Sequence, residues 1–206
     1  MPRDTFVRLP EEKRRRFLDA AWAEFSRVPF AEVSINRIVR GAGIPRGSFY
    51  QYFTDREELF RYLLDQVGQW YGRTYQALVR AKGGDLFRAH LAAFDEVLDE
   101  GPHRLPYADR FLRILRMNPD LDLQKIMDRR PGRQILRAVY DELDLTGFCS
   151  RERHFVEQVF VLSGMALASA VMDVLIDPDH RETIREELEE RMEIIRRGCL
   201  AVPAGT

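Results

Sequence analysis

Between Ser34 and Phe53 the chain sets Arg37, Arg40 and Arg46 among Ser34, Asn36, Ser48, Tyr50, Gln51 and Tyr52, with no acidic residue in the stretch. Guanidinium groups, hydroxyls and side-chain amides at this density suit a DNA duplex. Phosphate oxygens accept from all of them, and arginine, asparagine and glutamine read base edges in the major groove. Competing chemistries find little support. His90, His103, His154 and His180 are scattered, without a His-x-x-x-His pair or a cysteine at ligand spacing, so no metal centre is expected. Asp95, Glu96, Asp99 and Glu100 read as the wet face of one helix, from which no acid–base pair can be picked. There is no convincing nucleophile constellation, no cofactor is implied, and an enzyme is not expected. Gly41, Gly43 and Gly47 have one residue too many for a dinucleotide loop and follow a helical pattern instead of a strand.

The elements that must position the basic stretch are helical, and the same period runs along nearly the whole chain, so the fold class is all-α. Pro10 suits a first helical position, followed by Phe17, Ala21 and Phe25 at four-residue steps, and this helix must stop before Pro29. Ser34 is a good N-cap for a second helix through Arg40, which Gly41-Ala42-Gly43 breaks; Pro45 can start a third running to about Tyr52. Ile35, Ile38 and Val39 can pack inward with Ala42 and Ile44, and Phe49 and Phe53, four apart, hold the third helix on that small core. Arg46, Gly47, Ser48, Tyr50 and Gln51 are then left outside. This is a helix-turn-helix over about residues 34–53, with the recognition helix presenting its amino-terminal half. Gly47 lets the backbone approach DNA closely, at a helix-propensity cost of about 1 kcal/mol. Thr54-x-x-Glu57 reads as a capping box opening a long helix over about 55–81, ended by Gly83-Gly84.

Composition first argues against nucleic acid and then for it. The 206 residues carry a net charge of −1, whereas DNA-binding domains are usually basic. Residues 1–56, however, carry +4 and residues 57–206 carry −5. An apolar content of 45% with 32% charged residues excludes a disordered, collagen-like or disulfide-rich chain. Cys149 and Cys199 lie fifty residues apart in different predicted elements and suit reduced thiols in a cytoplasmic protein. The first residues have no apolar secretory segment. Val159 to Ile176 reaches the length of a membrane span, but its weakly hydrophobic Ser-Gly-Met-Ala centre and Asp173 favour a helix buried in protein.

Ser34-Ile35-Asn36-Arg37-Ile38-Val39, Ala42 through Phe53, and Arg56-Glu57-Glu58-Leu59-Phe60 together resemble the DNA-binding signature of TetR-type transcriptional regulators. The likeness covers roughly residues 11–60. It implies a homodimer with an amino-terminal DNA-binding domain (residues 1–56) and a larger helical domain (57–206) for effector binding and dimerisation. It also implies a repressor released from a palindromic operator by a small molecule. By position, Ser34 matches a residue that caps the second helix and meets a phosphate, and Asn36 and Arg37 match second-helix positions facing DNA. Arg46, Gly47 and Ser48 match the leading positions of the recognition helix, Tyr50 and Tyr52 match phosphate or base contacts, and Arg56 matches a usual lysine near the backbone. Pro29 stands where the family usually has glycine, and Val39 where it usually has alanine; both concern packing or a turn and not the DNA face.

The remaining segments predict helices over about 86–100, 106–117, a shorter one after Asn118-Pro119, 133–144, Ser150–Ile176, and from Asp177-Pro178 to about Leu200. Gly164 and Ala168 keep the penultimate helix slim, and Ile184, Leu188, Met192 and Ile195 form a stripe on the last one. Two readings stand for these residues: the core of one chain, or the two-fold interface that the resemblance implies. Trp70, Phe94, Tyr107, Phe111, Met117, Phe160 and Met165 are the candidates for an effector pocket, although aromatics and methionines at such spacing are usually core. Lys13-Arg14-Arg15-Arg16 is either a solvated helix face or an auxiliary phosphate contact. A structural or cell-division DNA-binding protein without a small ligand is the alternative function.

Overall fold

Phe17, Ala21 and Phe25 lie on one side of helix α2 (Glu11–Phe25), for which Pro10 serves as N-cap. The computed structural model describes residues 2–99, 108–118, 120 and 131–200. The described residues form two compact units: Met1–Gly68 with Leu105–Arg129, and Gln69–Arg104 with Arg130–Thr206. The fold is all-α with an amino-terminal helix-turn-helix.

In the first unit, α3 (Ile35–Ala42) ends at Gly43, whose φ of 66° is the left-handed turn that glycine adopts without cost. The Ile44 N–H reaches back to the Val39 carbonyl at 3.0 Å, which closes that helix before α4 (Arg46–Tyr52) begins. Gly41 answers a second demand: a Cβ there would stand 3.2 Å from the Ala20 Cβ, so α2 and α3 approach more closely than a side chain permits without some give. The core beneath is aromatic, with Phe17, Phe25, Phe49, Phe53 and Phe60 all at most 1% exposed. Burying each contributes roughly 1.5–3 kcal/mol. Helix α5 (Arg56–Ala81) supplies Leu59, Phe60 and Leu63 to this core. Its cap is shifted by one residue from the expected Thr54–Glu57 box. Asp55 accepts the Glu58 N–H at 2.7 Å, and the Glu58 carboxylate accepts the Thr54 N–H at 2.7 Å, leaving Glu57 on the exposed side. A four-residue helix that the periodicity missed, α1 (Asp4–Val7), inserts Phe6 into the same core. Helix α7 (Ala108–Met117) returns to this unit, where Asn118 Oδ1 accepts the Phe30 N–H at 2.8 Å.

The second unit holds the carboxy-terminal part of α5 with α6 (Leu86–Leu98), α8 (Pro131–Val139), α9 (Arg153–Ile176) and α10 (Arg181–Cys199). Asp85 caps α6, accepting from the Phe87 and Arg88 N–H groups at 3.0 Å each. Gly84 has φ of 83°, and a Cβ there would lie 2.6 Å from both the Asp144 nitrogen and the Glu142 oxygen. Glu142 ties α5 to the turn after α8, accepting from Arg80 Nε at 2.8 Å and from Gln76 Nε2 at 2.7 Å.

Three expected boundaries move. The helix expected over 133–144 is α8 followed by a single 3-10 turn, Tyr140–Glu142. Asp177-Pro178 opens a 3-10 turn in which the Asp177 carboxylate pairs with His180 Nδ1 at 2.8 Å, so α10 starts only at Arg181. Ser150 accepts the Glu152 N–H at 3.2 Å in the turn before α9, which begins at Arg153. The helix expected after Pro119 lies outside the described residues.

Leu188 and Met192 are at most 1% exposed and Ile184 is 9% exposed, all within the core formed by their own chain, and Ile195 packs against that core. Ile184, Leu188 and Met192 thus serve the core of their own chain, the first of the two readings, while Ile195 stays half-buried. Gly164 also turns inward, since a Cβ there would lie 3.8 Å from His90 Nε2, whereas Ala168 is exposed. Helix α9 is long and apolar enough to cross a membrane by length and composition, yet it buries Val156, Val159, Phe160, Leu167, Ala170 and Val174 in this core. Its outward face keeps Val161, Leu162 and Met165 exposed.

Buried among these apolar groups is a polar chain. Tyr75 Oη lies 2.7 Å from His90 Nδ1, Ser163 Oγ lies 3.4 Å from His90 Nε2, and Ser163 donates to the Val159 carbonyl at 2.8 Å. Burial pushes the His90 pKa down to about 4 and the Tyr75 phenol well up. The imidazole is neutral, and its Nδ1 lies 2.8 Å from the Leu86 carbonyl as well as beside Tyr75, so the ring is tied to its own helix as well as to α5 and α9. The two cysteines also meet, as the Cys149 N–H donates to the Cys199 carbonyl at 2.9 Å. Both thiols are free, with Cys149 exposed and Cys199 buried.

Candidate nucleic-acid interface

Helix α4 has one buried face and one open face because Phe49 falls inward and the residues around it do not. Arg46, Gly47 and Gln51 are exposed, Ser48 is half-buried, and Tyr50 keeps 42% of its surface while its ring meets Phe49 edge-on at 5.4 Å. A Cβ built on Gly47 meets nothing within 4 Å. The helix therefore offers arginine, amide, phenol and bare backbone on one side. Asn36 and Arg37 are exposed on the first turn of α3, and Arg40 is exposed near its end. Among the described residues, Arg37, Arg40 and Arg46 enter no ion pair, so their charge is available to an outside anion.

Three of the expected contacts also have duties within the protein. Ser34 stands at the N-cap position of α3, but its hydroxyl makes no capping bond. Its N–H instead donates to Glu24 Oε1 at 3.1 Å. Tyr52 is half-buried, with its ring 5.6 Å from Phe6 and 5.8 Å from Phe17, and so packs in the aromatic core. Arg56 donates to the Ala31 carbonyl at 2.7 Å and lies 5.3 Å over the Phe30 ring, joining the start of α5 to the loop between α2 and α3.

The residue that holds this geometry is one the sequence reading passed over. Glu24 is 5% exposed, and its carboxylate takes Arg27 Nη2 at 2.8 Å, Arg27 Nε at 3.1 Å and the Ser34 N–H. It thereby fixes the last turn of α2 against the first turn of α3. A signal was present, since an acid in the last turn of a helix opposes the helix dipole and implies a specific partner.

The other candidates disperse. Phe94 and Phe160 share the core of the second unit, and Trp70 is half-buried on α5 in that unit. Met165 is 66% exposed. Phe111 and Met117 belong to the first unit, where Phe111 packs against its aromatic core. Tyr107 lies outside the described residues. No group of three or more His, Cys, Asp or Glu side chains able to hold a metal occurs among the described residues.

Residues 17–63, which span α2 to the first turns of α5, match the family model described as bacterial regulatory proteins, tetR family. The whole chain is similar in fold to a TetR family transcriptional regulator from Chloroflexus aurantiacus J-10-fl, at 22% identity over 98% of this chain and 100% of that one, with a TM-score of 0.51. It is likewise similar to a transcriptional regulator from Rhodococcus sp. RHA1, at 18% identity over 92% of this chain and 98% of that one, with a TM-score of 0.64.

Proposed function

Because residues 17–63 are a tetR-family helix-turn-helix, we propose that this chain is a cytoplasmic, sequence-specific transcriptional repressor. It binds a partly palindromic operator as a homodimer and is released by a small molecule. The observation that carries the DNA reading is the open face of α4, where Arg46, Gly47, Tyr50 and Gln51 stand clear of the protein above a core fixed by Phe49 and Phe53. In a dimer two such helices enter successive major grooves about 34–36 Å apart. Arg46 reads a base edge, Gln51 a second one, and Asn36, Arg37, Ser34 and Tyr50 hold phosphates. Ser48 lines the approach of the α4 backbone. Tyr52 and Arg56 serve this surface indirectly, by holding α4 and the neighbouring loop in place.

The dimer reading draws on the outward face of α9. Val161, Leu162 and Met165 are exposed at helical spacing beside Ala168, and Ile194 is 71% exposed on α10. Apolar groups in such a row favour burial against a second copy. The functional division places DNA reading in residues 1–56 and effector response with dimerisation in residues 57–206. Effector binding, in this reading, shifts the population away from the spacing of recognition helices that fits the operator.

The test is selection of a duplex from a random library with the purified chain, followed by titration of Arg46→Ala. The expected outcome is enrichment of an inverted repeat and a loss of about 1–3 kcal/mol on that repeat, with little change on unrelated DNA. A loss equal on all duplexes would make Arg46 a phosphate contact, and absence of any enriched sequence would overturn sequence-specific binding.

A further inference from the structure

The short helix α1 contributes one side chain to the protein and leaves its cations outside. Phe6 is fully buried, with ring centroids 5.5 Å from Phe17, 4.9 Å from Phe53 and 5.5 Å from Tyr62. Two bonds fasten the same segment to the last turn of α4: the Arg3 N–H donates to the Tyr52 carbonyl at 3.0 Å, and the Thr5 hydroxyl donates to the Gln51 carbonyl. A third runs from Arg14 Nη1 on α2 to the Val7 carbonyl at 3.3 Å. An arm held by an aromatic plug and three hydrogen bonds is an ordered part of the surface and not a loose end. Arg3 and Arg8 are exposed on it, and Lys13, Arg15 and Arg16 are exposed on the adjoining turns of α2. Asp4 is the single acid of the arm, at the start of α1, where the helix favours negative charge.

Gln51 joins the arm to the reading surface, since its side chain is exposed one helical turn from Gly47 while its carbonyl receives Thr5. When α4 lies in a major groove, the segment fastened to its end borders a phosphate strand. We infer that residues 3–8 form a second DNA-contacting element, in which Arg3 and Arg8 pair with phosphates flanking the site that α4 reads. This rests on the DNA-binding reading above. It differs from it in residue, partner atom and salt dependence.

The test uses the duplex that the wild-type chain enriches from a random library, with flanks of random sequence, and measures affinity between 50 and 200 mM salt. Each phosphate contact contributes about 0.9 to the slope of log affinity against log salt. Arg3→Ala with Arg8→Ala removes two contacts from each protomer of the dimer and should therefore lower the slope by about 3.6, so that the wild type loses about 150-fold more affinity than the variant over that salt range. Arg3→Lys with Arg8→Lys should restore the slope, because it keeps the charges. Both variants change exposed side chains, and an unchanged thermal unfolding midpoint verifies that the arm stays seated. An unaltered slope in the alanine variant on the enriched duplex overturns the arm contact while leaving the α4 reading intact. A loss that depends on the flanking bases overturns the phosphate assignment. Failure of the wild type itself to enrich a duplex would remove the premise, and the arm proposal with it.

Discussion

Replacing Gly47 by alanine separates what the fold needs from what DNA recognition needs. The position lies in the first turn of α4, and a Cβ there has open space for 4 Å around it. Glycine costs about 0.8–1.0 kcal/mol relative to alanine in a helix interior. Near a helix end part of that gain remains, so the substitution should stabilise the chain by about 0.5 kcal/mol. For a protein of this size that is a rise of roughly 1–2 °C in the unfolding midpoint. Against DNA the sign reverses. If the α4 backbone approaches the duplex at Gly47, a methyl group there holds the helix off the groove floor and lengthens several hydrogen bonds together. Losing two of them costs about 2–3 kcal/mol, a 30- to 150-fold weaker complex. Calorimetry gives the first quantity, and fluorescence anisotropy on the enriched duplex gives the second. A destabilised Gly47→Ala protein would refute the open geometry around α4, and unchanged affinity would refute the close approach of this backbone to DNA.

Four other outcomes follow from the packing and the proposed dimer. Glu24→Ala removes the acceptor of Arg27 and of the Ser34 N–H, and should destabilise the protein by about 2–3 kcal/mol in urea titrations, more than Glu24→Gln, which keeps an acceptor. His90 is neutral in the folded state with a pKa of about 4, below the ordinary value of 6.5. The unfolded chain therefore takes up the proton first, and stability present above pH 6.5 should fall as pH is lowered towards 4, by up to about 3 kcal/mol. His90→Gln should flatten that part of the pH profile. If two copies pair through α9 as proposed, Leu162→Glu or Met165→Glu should yield monomers in sedimentation velocity while leaving the core intact, whereas Leu188→Ala should cost about 2–5 kcal/mol of stability through the cavity it leaves.

The amino-terminal core was legible because its determinants are local. Phe17, Ala21 and Phe25 repeat at the helical period, Gly43 marks a left-handed turn, and Phe49 with Phe53 can face only one way once α4 is accepted. What stayed hidden depends on partners distant in sequence. Phe6 lies in a helix of four residues, too short for any period to show. The stripe of Ile184, Leu188 and Met192 was visible as a face to be buried, but periodicity does not say against what, and the answer is the chain's own core. Ser34 was read as a cap from residue type and Thr54 from its spacing to Glu57, but Glu24 takes the Ser34 N–H from ten residues away and Asp55 takes the amide one residue further on, that of Glu58. Likewise Tyr52 and Arg56 have the chemistry of DNA contacts, and their residue types alone do not reveal that the ring also packs on Phe17 and the guanidinium also holds the Ala31 carbonyl.

The chain from Tyr75 through His90 to Ser163 draws one member from each of α5, α6 and α9. Apolar side chains tolerate sliding, because one methyl contact replaces another at little cost. Hydrogen-bonding groups do not. If α6 moved by one turn along its neighbours, His90 would lose both Tyr75 and Ser163, and the Tyr75 phenol would be left facing hydrocarbon, whereas Ser163 would keep the Val159 carbonyl. Most of the adhesion in this core comes from its phenylalanines, valines and leucines. The three polar groups act instead as an index mark, admitting a single alignment of three helices from among many that are nearly as greasy.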